Sequence, residues 1–347
     1  MKLASYHDGS RDGQLVVVSR DLSTAHFATG TATRLQQVLD DWNFLSPQLQ
    51  DLYVTLNQGR ARHAFAFEPR RCMAPLPRAG QWAVGSAYPG HVDRLHQAAG
   101  LPAPADATPA LRMAQGASDD FVRPCGDVWF GAEAWGIDFE AGLAVITGDV
   151  GMGASPEQAL DGVRLLMLAN GWALRQLEAA ERASGLGPVQ SRPAAAFGPV
   201  AVTPDELGDA WQRGRLHLSL QSTLNGRRVG QTEAGTGMGW HFGQLIAHLA
   251  KTRHLRAGAI VGSGPVSHAD RSQGCNAIVE IRALETLDTG QARTAYLRLG
   301  DTLCIEMTGR DGQSVFGTID QRVIGPGMAG AADALADPAT AAPPPSA

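Results

Sequence analysis

The sequence predicts a strand-dominated α+β fold, with a mixed β-roll or β-sandwich main domain after a small α/β N-terminal domain. Short apolar runs alternate with glycines over residues 79–325, and the 347-residue chain has 41 glycines. Asn225-Gly226 lies between two strand-like segments, which is a strong signal for a type I′ hairpin turn. Charged residues make up only 18% of the chain, which suits a globular fold rich in tight turns better than a helical bundle.

Residues 1–75 are predicted to form the small N-terminal domain. Residues 14–19 are a short apolar run that predicts a strand. Residues 34–42 space their apolar side chains at helical intervals. Ser46 followed by Pro47 predicts the start of a second helix, because serine caps helices and proline fits the first helical position.

Residues 76–327 are predicted to form the main domain. Residues 137–147 predict a strand that runs into the core, whereas 165–169 fit a buried strand or a buried helix equally well. Ser155 and Gln158 form a capping box and predict a helix start. A helix is predicted at 241–251, and strands at 216–224, 227–232, 257–261, 276–283, 294–299, 302–307 and 315–319. Residues 328–347 are rich in alanine and proline and are predicted to be a disordered tail.

Composition argues against several classes of protein. The net charge is −5 and the charges are dispersed, so nucleic acid is not an expected partner. No run of about 18 apolar residues predicts a membrane helix, and the first residues lack the apolar stretch of a secretory signal. The four cysteines form no CxxC pair and are expected to be free thiols in a reducing cytoplasm. Signatures such as GxSxG, the P-loop and HExxH are absent.

A set of segments in consistent order covers about residues 1–325. They include DGSRDGQLVVVSRDLS near the start and, further along, WGIDFEAGLAVITGDV, FGQLIAHLAKTRHLRAGAIVGSGPVS and GDTLCIEMTGRDGQSVFGTIDQRV. In this order they resemble the fumarylacetoacetate hydrolase family, in the bacterial branch with a small extra N-terminal domain. The resemblance implies a β-roll main domain that dimerises. It also implies hydrolysis of a carbon–carbon bond in a β-diketo acid of the acylpyruvate type, as in aromatic amino-acid catabolism.

The family's chemistry implies roles for particular residues. A Mg²⁺ or Ca²⁺ ion held by four carboxylates chelates the diketo group and acts as a Lewis acid. A histidine oriented by a glutamate activates water as a general base. His91, at the end of the stretch WAVGSAYPGH, and Glu280, in GCNAIVE, match this pair. The resemblance therefore implies that His91 and Glu280 are the catalytic residues.

One carboxylate remains at the four positions where the family binds its metal. The first position, seven residues before the histidine, is Val84. The second and third lie two residues apart on one strand and so share a face; here they are Glu140 and Gly142. The fourth position, after an asparagine, is Gly171. Mg²⁺ or Ca²⁺ is expected of the family, but Glu140 alone predicts no metal binding or weak binding, since these ions take about six or more oxygen ligands.

The substrate-binding positions are partly kept. Arg175 matches an arginine of the family that binds substrate, and the nearby amide position is Glu178. The oxyanion lysine of the family is replaced by Arg192, which keeps the charge but changes the donor geometry. A substrate-contacting threonine is replaced by Pro265, which has neither a hydroxyl nor an N–H group. Ser86 is the remaining substrate-binding candidate.

Several alternatives stay open. Glu140 could instead pair with Arg175 or Arg192. A relocated metal on Asp119 or Asp120 is possible in principle, although a solvated loop is favoured. Three functions remain as alternatives. The first is a metal-free hydrolase, and the second is a non-catalytic protein that binds a keto acid or pairs with an active paralogue. The third is a metal-free tautomerase or decarboxylase. Each of these predicts a small anionic keto-acid ligand, and a homodimer is the expected assembly.

Overall fold

The computed structural model describes residues 1–101, 111–185 and 187–328. The predicted tail, residues 328–347, lies outside this part of the chain apart from Met328. In the described residues no helix is long and apolar enough to cross a membrane. The α-helices found there are α1 (Leu35–Asp40), α2 (Trp42–Asn57), α3 (Pro89–Ala98), α4 (Pro156–Asp161), α5 (Arg175–Ser184), α6 (Phe242–Leu249) and α7 (Ile278–Thr289).

Strands outnumber helices, which confirms the predicted strand-rich α+β class. In chain order the strands are β1 (Lys2–Tyr6), β2 (Gln14–Val18), β3 (Thr24–Phe27), β4 (Phe65–Ala66), β5 (Gln81–Gly85), β6 (Met113–Gln115), β7 (Cys125–Trp129), β8 (Ile137–Asp138), β9 (Ala141–Thr147), β10 (Val163–Asn170), β11 (Ala173–Leu174), β12 (Ala196–Phe197), β13 (Ala201–Val202), β14 (Trp211–Gln212), β15 (Arg215–Leu216), β16 (Ser219–Leu224), β17 (Arg227–Glu233), β18 (Ala259–Pro265), β19 (Thr302–Thr308) and β20 (Ile319–Ile324).

The larger sheet has 11 strands, ordered β4-β3-β2-β1-β13-β10-β9-β18-β5-β6 with β12 beside β10. Strand β1 pairs antiparallel with β13, so the N-terminal strands continue the sheet of the main domain. Strand β9 lies between β10 and β18 and is buried along its whole length. Its side chains alternate between two hydrophobic clusters, one with Leu143 and Val145 and the other with Ala144 and Ile146. Burial on both faces explains the continuous apolar run that the sequence shows there.

A second sheet of five strands has the order β17-β16-β19-β20-β7. The hairpin predicted at Asn225-Gly226 joins β16 to β17. Both residues have positive φ, 49° and 74°, as a type I′ turn requires. The capping box at Ser155 is also confirmed, because its hydroxyl accepts the N–H of Gln158 at the start of α4. Residues 165–169, left open between strand and helix, lie in β10.

Three predicted strands and one helix start are wrong. In the strand predicted at 276–283, residues 278–283 instead form the first half of α7 because Asp138, from a distant strand, binds the N–H groups of its first turn. Residues 294–299 make only an isolated bridge at Leu297, since Glu285 binds the N–H groups of Arg293 and Thr294. The last strand begins at Ile319, where the sequence predicts its end.

The wrong helix start concerns Ser46. Helix α2 begins at Trp42 and carries Pro47 inside it. Pro47 is the sixth residue of this helix, beyond the first four N–H groups that lack a partner within a helix, so it removes the hydrogen bond that an N–H there would donate to the carbonyl four residues earlier. The first helix, predicted at 34–42, is confirmed in a shorter form as α1.

Candidate active site

One cleft brings together most of the predicted site residues. It has a volume of about 300 Å³ and lies between the end of β5, helix α3, helix α5 and the end of β18. Its walls include Ser86, His91, Glu140, Arg175, Glu178 and Arg192, together with Val84 and Pro265. Asp119 and Asp120 are exposed elsewhere, and neither lines the cleft.

His91 stands in the first turn of α3, which begins with Pro89 directly after Tyr88. Its Nδ1 lies 3.1 Å from Oε2 of Glu280, which is fully buried in the first turn of α7. An ionised carboxylate only accepts hydrogen bonds, so Nδ1 of His91 carries the proton. In the neutral ring this leaves Nε2 with a lone pair, which is the arrangement of a general base held by a carboxylate.

Glu280 has two further partners that the sequence did not suggest. Its Oε1 accepts from a guanidinium nitrogen of Arg94 and, at 2.7 Å, from the hydroxyl of Ser267. Burial alone would raise the pKa of Glu280, but the contacts with His91, Ser267 and Arg94 hold it below its usual value. The signal for Arg94 was its spacing, because it follows His91 by three residues on one helix and such residues are neighbours.

Asp138 binds the helical turn that carries Glu280. The carboxylate accepts the N–H of Ile278 at 2.7 Å and of Val279 at 3.0 Å, the first two residues of α7. Helix N-termini leave such N–H groups unpaired, and a carboxylate there is also favoured by the helix dipole. Asp138 therefore caps α7 from outside the helix and positions the turn that carries Glu280.

Glu140 is held between two arginines. Its Oε1 accepts from Arg175 at 2.6 Å, and its Oε2 accepts from Arg192, also at 2.6 Å. Burial by itself would raise the pKa of Glu140, but the two cations hold it at about 2. The alternative in which Glu140 pairs with both arginines is what the structure shows.

Each guanidinium nitrogen of Arg175 already donates to a carboxylate. Besides Glu140, it binds Asp138 at 2.9 Å and Glu178 at 3.0 Å, and its side chain is 7% exposed. Glu178 also accepts from Arg182 at 2.6 Å. Arg192 is more accessible, at 18% exposed, whereas its Nε is buried without a hydrogen-bond partner within the described residues. Of the two predicted substrate-binding arginines, Arg192 is thus better placed to meet an anion.

Glu181 organises the loop that carries Arg192. Its carboxylate accepts the N–H groups of Val189, Gln190 and Ser191 at 2.6–3.1 Å, as well as the Ser191 hydroxyl. The hydrogen bond from the Ser191 hydroxyl has the largest effect on this carboxyl, and together with the backbone donors it lowers the pKa of Glu181 to about 2. Sequence analysis missed this residue, because the contact joins helix α5 to a loop that follows it.

The positions that the resemblance assigns to a divalent ion carry few side-chain oxygens. Val84, Gly142 and Gly171 offer no side-chain oxygen, and both oxygens of Glu140 are already bound to guanidinium groups. A β-carbon on Gly142 would collide with the carbonyl oxygen of Gly264. Across residues 1–101, 111–185 and 187–328, no three His, Cys, Asp or Glu side chains are grouped as a metal site. A hard cation needs several free oxygen ligands.

The family models match nearly all of the chain. Residues 1–78 match the model described as fumarylacetoacetase N-terminal domain 2. Residues 81–324 match the model described as fumarylacetoacetate hydrolase C-terminal. None of the curated proteins matches the sequence significantly.

Solved structures share the fold at low sequence identity. A probable 2-hydroxyhepta-2,4-diene-1,7-dioate isomerase from Mycobacterium abscessus is 18% identical, with a TM-score of 0.63 over 94% of this chain and 99% of that one. A fumarylacetoacetate hydrolase from Exiguobacterium antarcticum is 17% identical, with a TM-score of 0.62 and the same coverage. A fumarylpyruvate hydrolase from Pseudomonas aeruginosa, solved with Mn²⁺ and pyruvate, is 14% identical, with a TM-score of 0.50 over 72% and 91%.

Proposed function

Because the chain belongs to the fumarylacetoacetate hydrolase family, we propose that it binds a small anionic oxo acid in the cleft and interconverts the keto and enol forms of that acid without a divalent metal. The observation that carries the proposal is the buried His91–Glu280 pair on the wall of a cleft whose acidic residues are already neutralised by arginines.

The proposed reaction needs one base and one stabilised oxyanion. Nε2 of His91 takes a proton from the carbon next to the carbonyl group. The electron pair of that C–H bond becomes the new C=C bond, and the carbonyl π pair moves onto oxygen. The resulting imidazolium returns the proton to that oxygen, so atoms and charge balance. Arg192 is the cation best placed to stabilise the developing negative charge.

Hydrolysis would require more chemical steps from the same residues than isomerisation does. A water must add to a carbonyl group, and a carbanion must then leave, whereas isomerisation stops at the enol. Lewis-acid stabilisation by a divalent ion is worth several kcal/mol, and each ~1.4 kcal/mol is a factor of ten in rate. With Glu140 already paired to Arg175 and Arg192, isomerisation is the less demanding use of His91.

Carbon–carbon bond hydrolysis of a β-diketo acid is the second candidate. The main-domain model is described as a hydrolase and one structural neighbour is a fumarylpyruvate hydrolase, while another neighbour is named as an isomerase. In this alternative, His91 would activate a water instead of removing a carbon-bound proton. The homodimer and the cytoplasmic location expected from the sequence are part of the same proposal.

The test follows the enol absorbance of oxaloacetate and of a simple acylpyruvate with purified protein, in EDTA and in Mg²⁺. Products are identified by proton NMR, which separates a ketone tautomer from cleaved acids. His91→Ala is compared with His248→Ala, a histidine exposed on α6.

We expect metal-independent ketonisation that His91→Ala abolishes and His248→Ala preserves. Cleaved products in EDTA would favour the hydrolase instead. Turnover only with Mg²⁺ would overturn the metal-free reaction. If the protein binds the acids by calorimetry but converts neither, a non-catalytic binding role replaces the proposal.

A further inference from the structure

Arg94 binds Glu280 of the catalytic pair and is not among the residues that line the cleft. We propose that Arg94 is a positioning residue: it balances the charge of Glu280 permanently, so that His91 stays neutral and keeps its proton on Nδ1. The consequence for turnover rests on the proposed function, but the state of the His91 ring can be measured without any substrate.

The guanidinium of Arg94 is immobilised by four acceptors. One nitrogen donates to Oε1 of Glu280 and, at 3.0 Å, to the hydroxyl of Ser267. The other donates to the backbone oxygens of His268 at 2.6 Å and Ala269 at 3.1 Å. With the residue 9% exposed, this set leaves the guanidinium little freedom to turn toward the cleft or to solvent.

The two oxygens of Glu280 have separate partners. Oε1 accepts hydrogen bonds from Arg94 and Ser267, and Oε2 accepts one from His91. A fully buried carboxylate is costly unless a cation pairs with it. Arginine does not lose its proton in proteins, so Arg94 supplies that cation at every working pH. His91 therefore does not have to become an imidazolium to compensate Glu280.

The other charged groups near His91 do not change the conclusion that His91 can stay neutral. Across the cleft, each carboxylate has its own arginine: Glu140 is bound to Arg175 and Arg192, and Glu178 to Arg182. The other charged or titratable side chains on the cleft wall and on α3 are Tyr88, Asp93, His96 and Arg112. Helix α7, which packs against α3, adds Arg282, Glu285 and Asp288, and the loop after β18 adds His268. Among the described carboxylates that face the cleft, none depends on His91 for its counter-charge.

Removing the positive charge of Arg94 should change the protonation state of His91. In Arg94→Met, the buried Glu280 keeps only His91 and Ser267 as donors. The nearest way to neutralise it is for His91 to bind a second proton and form an ion pair, which removes the lone pair from Nε2. A general base that is already protonated at neutral pH cannot accept a proton from substrate.

The experiment is ¹⁵N NMR of histidine-labelled protein between pH 5 and pH 9, with the His91 signal assigned by its loss in His91→Gln. In the unsubstituted chain we expect a neutral ring protonated on Nδ1 at pH 7.5. In Arg94→Met the midpoint of His91 protonation should rise by one pH unit or more. Arg94→Lys, which keeps a cation, should restore most of the original behaviour, and Arg94→Met combined with Glu280→Gln should abolish the rise.

Either of two results would overturn the inference: an unchanged His91 titration in Arg94→Met, or an Arg94→Lys chain that titrates like Arg94→Met. If Arg94→Met does not fold, as judged by circular dichroism, the comparison of Arg94→Lys with the double variant decides. Because the readout needs no substrate, absence of keto–enol conversion with an intact His91 signature would refute the proposed function alone.

Discussion

The α-carbon of Gly142 faces the carbonyl oxygen of Gly264 so closely that no β-carbon fits between them. The two glycines lie on neighbouring strands, β9 and β18, where the pairing is irregular between Gly262 and Pro265. By resemblance, residue 142 is a position at which the family places a metal-binding glutamate. Main-chain atoms of β18 now take up the space that such a side chain would need.

This contact predicts different costs for two alanine substitutions. Gly142→Ala should lower the free energy of unfolding by about 1–3 kcal/mol, the usual cost of overpacking. Gly171→Ala should change it by less, because the added β-carbon would lie 3.4 Å from Oε2 of Glu140, an ordinary contact. Denaturant unfolding of the two variants measures the difference. Equal stabilities would mean that β18 moves freely away from β9.

Glu140 predicts a pH-dependent contribution to stability. Its pKa is about 2, below the ordinary 4.5, because Arg192 and Arg175 outweigh the effect of burial. A lowered pKa stabilises the fold above pH 4.5, and that contribution is lost as the pH falls toward 2. At about 1.4 kcal/mol per pH unit, it amounts to roughly 3 kcal/mol at neutral pH.

Glu140→Gln should therefore be less stable than the unsubstituted chain by about this amount at pH 7, with a difference that shrinks below pH 4.5. Asp149→Asn is the control, because Asp149 is exposed and its ion pair with Arg256 is 4.0 Å long. Urea unfolding from pH 2.5 to pH 7 gives both curves. A difference that stays constant over this range would contradict the assigned role of the two arginines.

The contacts of Asp138 predict that the stability of helix α7 depends on a residue outside that helix. Asp138→Asn weakens the two charge-assisted hydrogen bonds to the N–H groups of Ile278 and Val279 as well as the ion pair with Arg175, and should cost about 2 kcal/mol or more. Amide hydrogen exchange at these two residues should also become faster. Asp288→Asn, on the exposed side of α7, breaks only a surface ion pair with Arg271 and should cost less than about 1 kcal/mol. Similar losses in both variants would rule out a capping role.

The contacts of Glu181 predict that a substitution outside the cleft can make the loop that carries Arg192 more mobile. Glu181→Ala should speed amide exchange at Val189, Gln190 and Ser191, and should weaken binding of a small oxo acid by calorimetry. Glu285→Ala is a matched control, because Glu285 binds the N–H groups of Arg293 and Thr294 in the same way, in a loop whose residues do not line the cleft. It should speed exchange in its own loop and leave binding unchanged. Loss of binding in both variants would point to general destabilisation.

Local chemistry accounts for what was predictable. The turn at Asn225-Gly226 and the capping box at Ser155 follow from the conformations and hydrogen bonds of a few adjacent residues, so sequence suffices to place them. In the larger sheet, the strands predicted at 14–19, 137–147 and 257–261 correspond to β2, β9 and β18. The candidate residues His91 and Glu280 were found by resemblance to a family motif, and the structure places them 3.1 Å apart.

The sequence by itself determined the strand-rich class, the main turns and the identity of the candidate base and its glutamate. Only the tertiary structure decided that 278–283 is helical, that each guanidinium nitrogen of Arg175 binds a carboxylate, and that Arg94 shares Glu280 with His91. The physical reason is common to all three. Each depends on charged groups that are far apart in the chain and meet only when the sheet and helices pack, and in a buried setting such pairings override local preference.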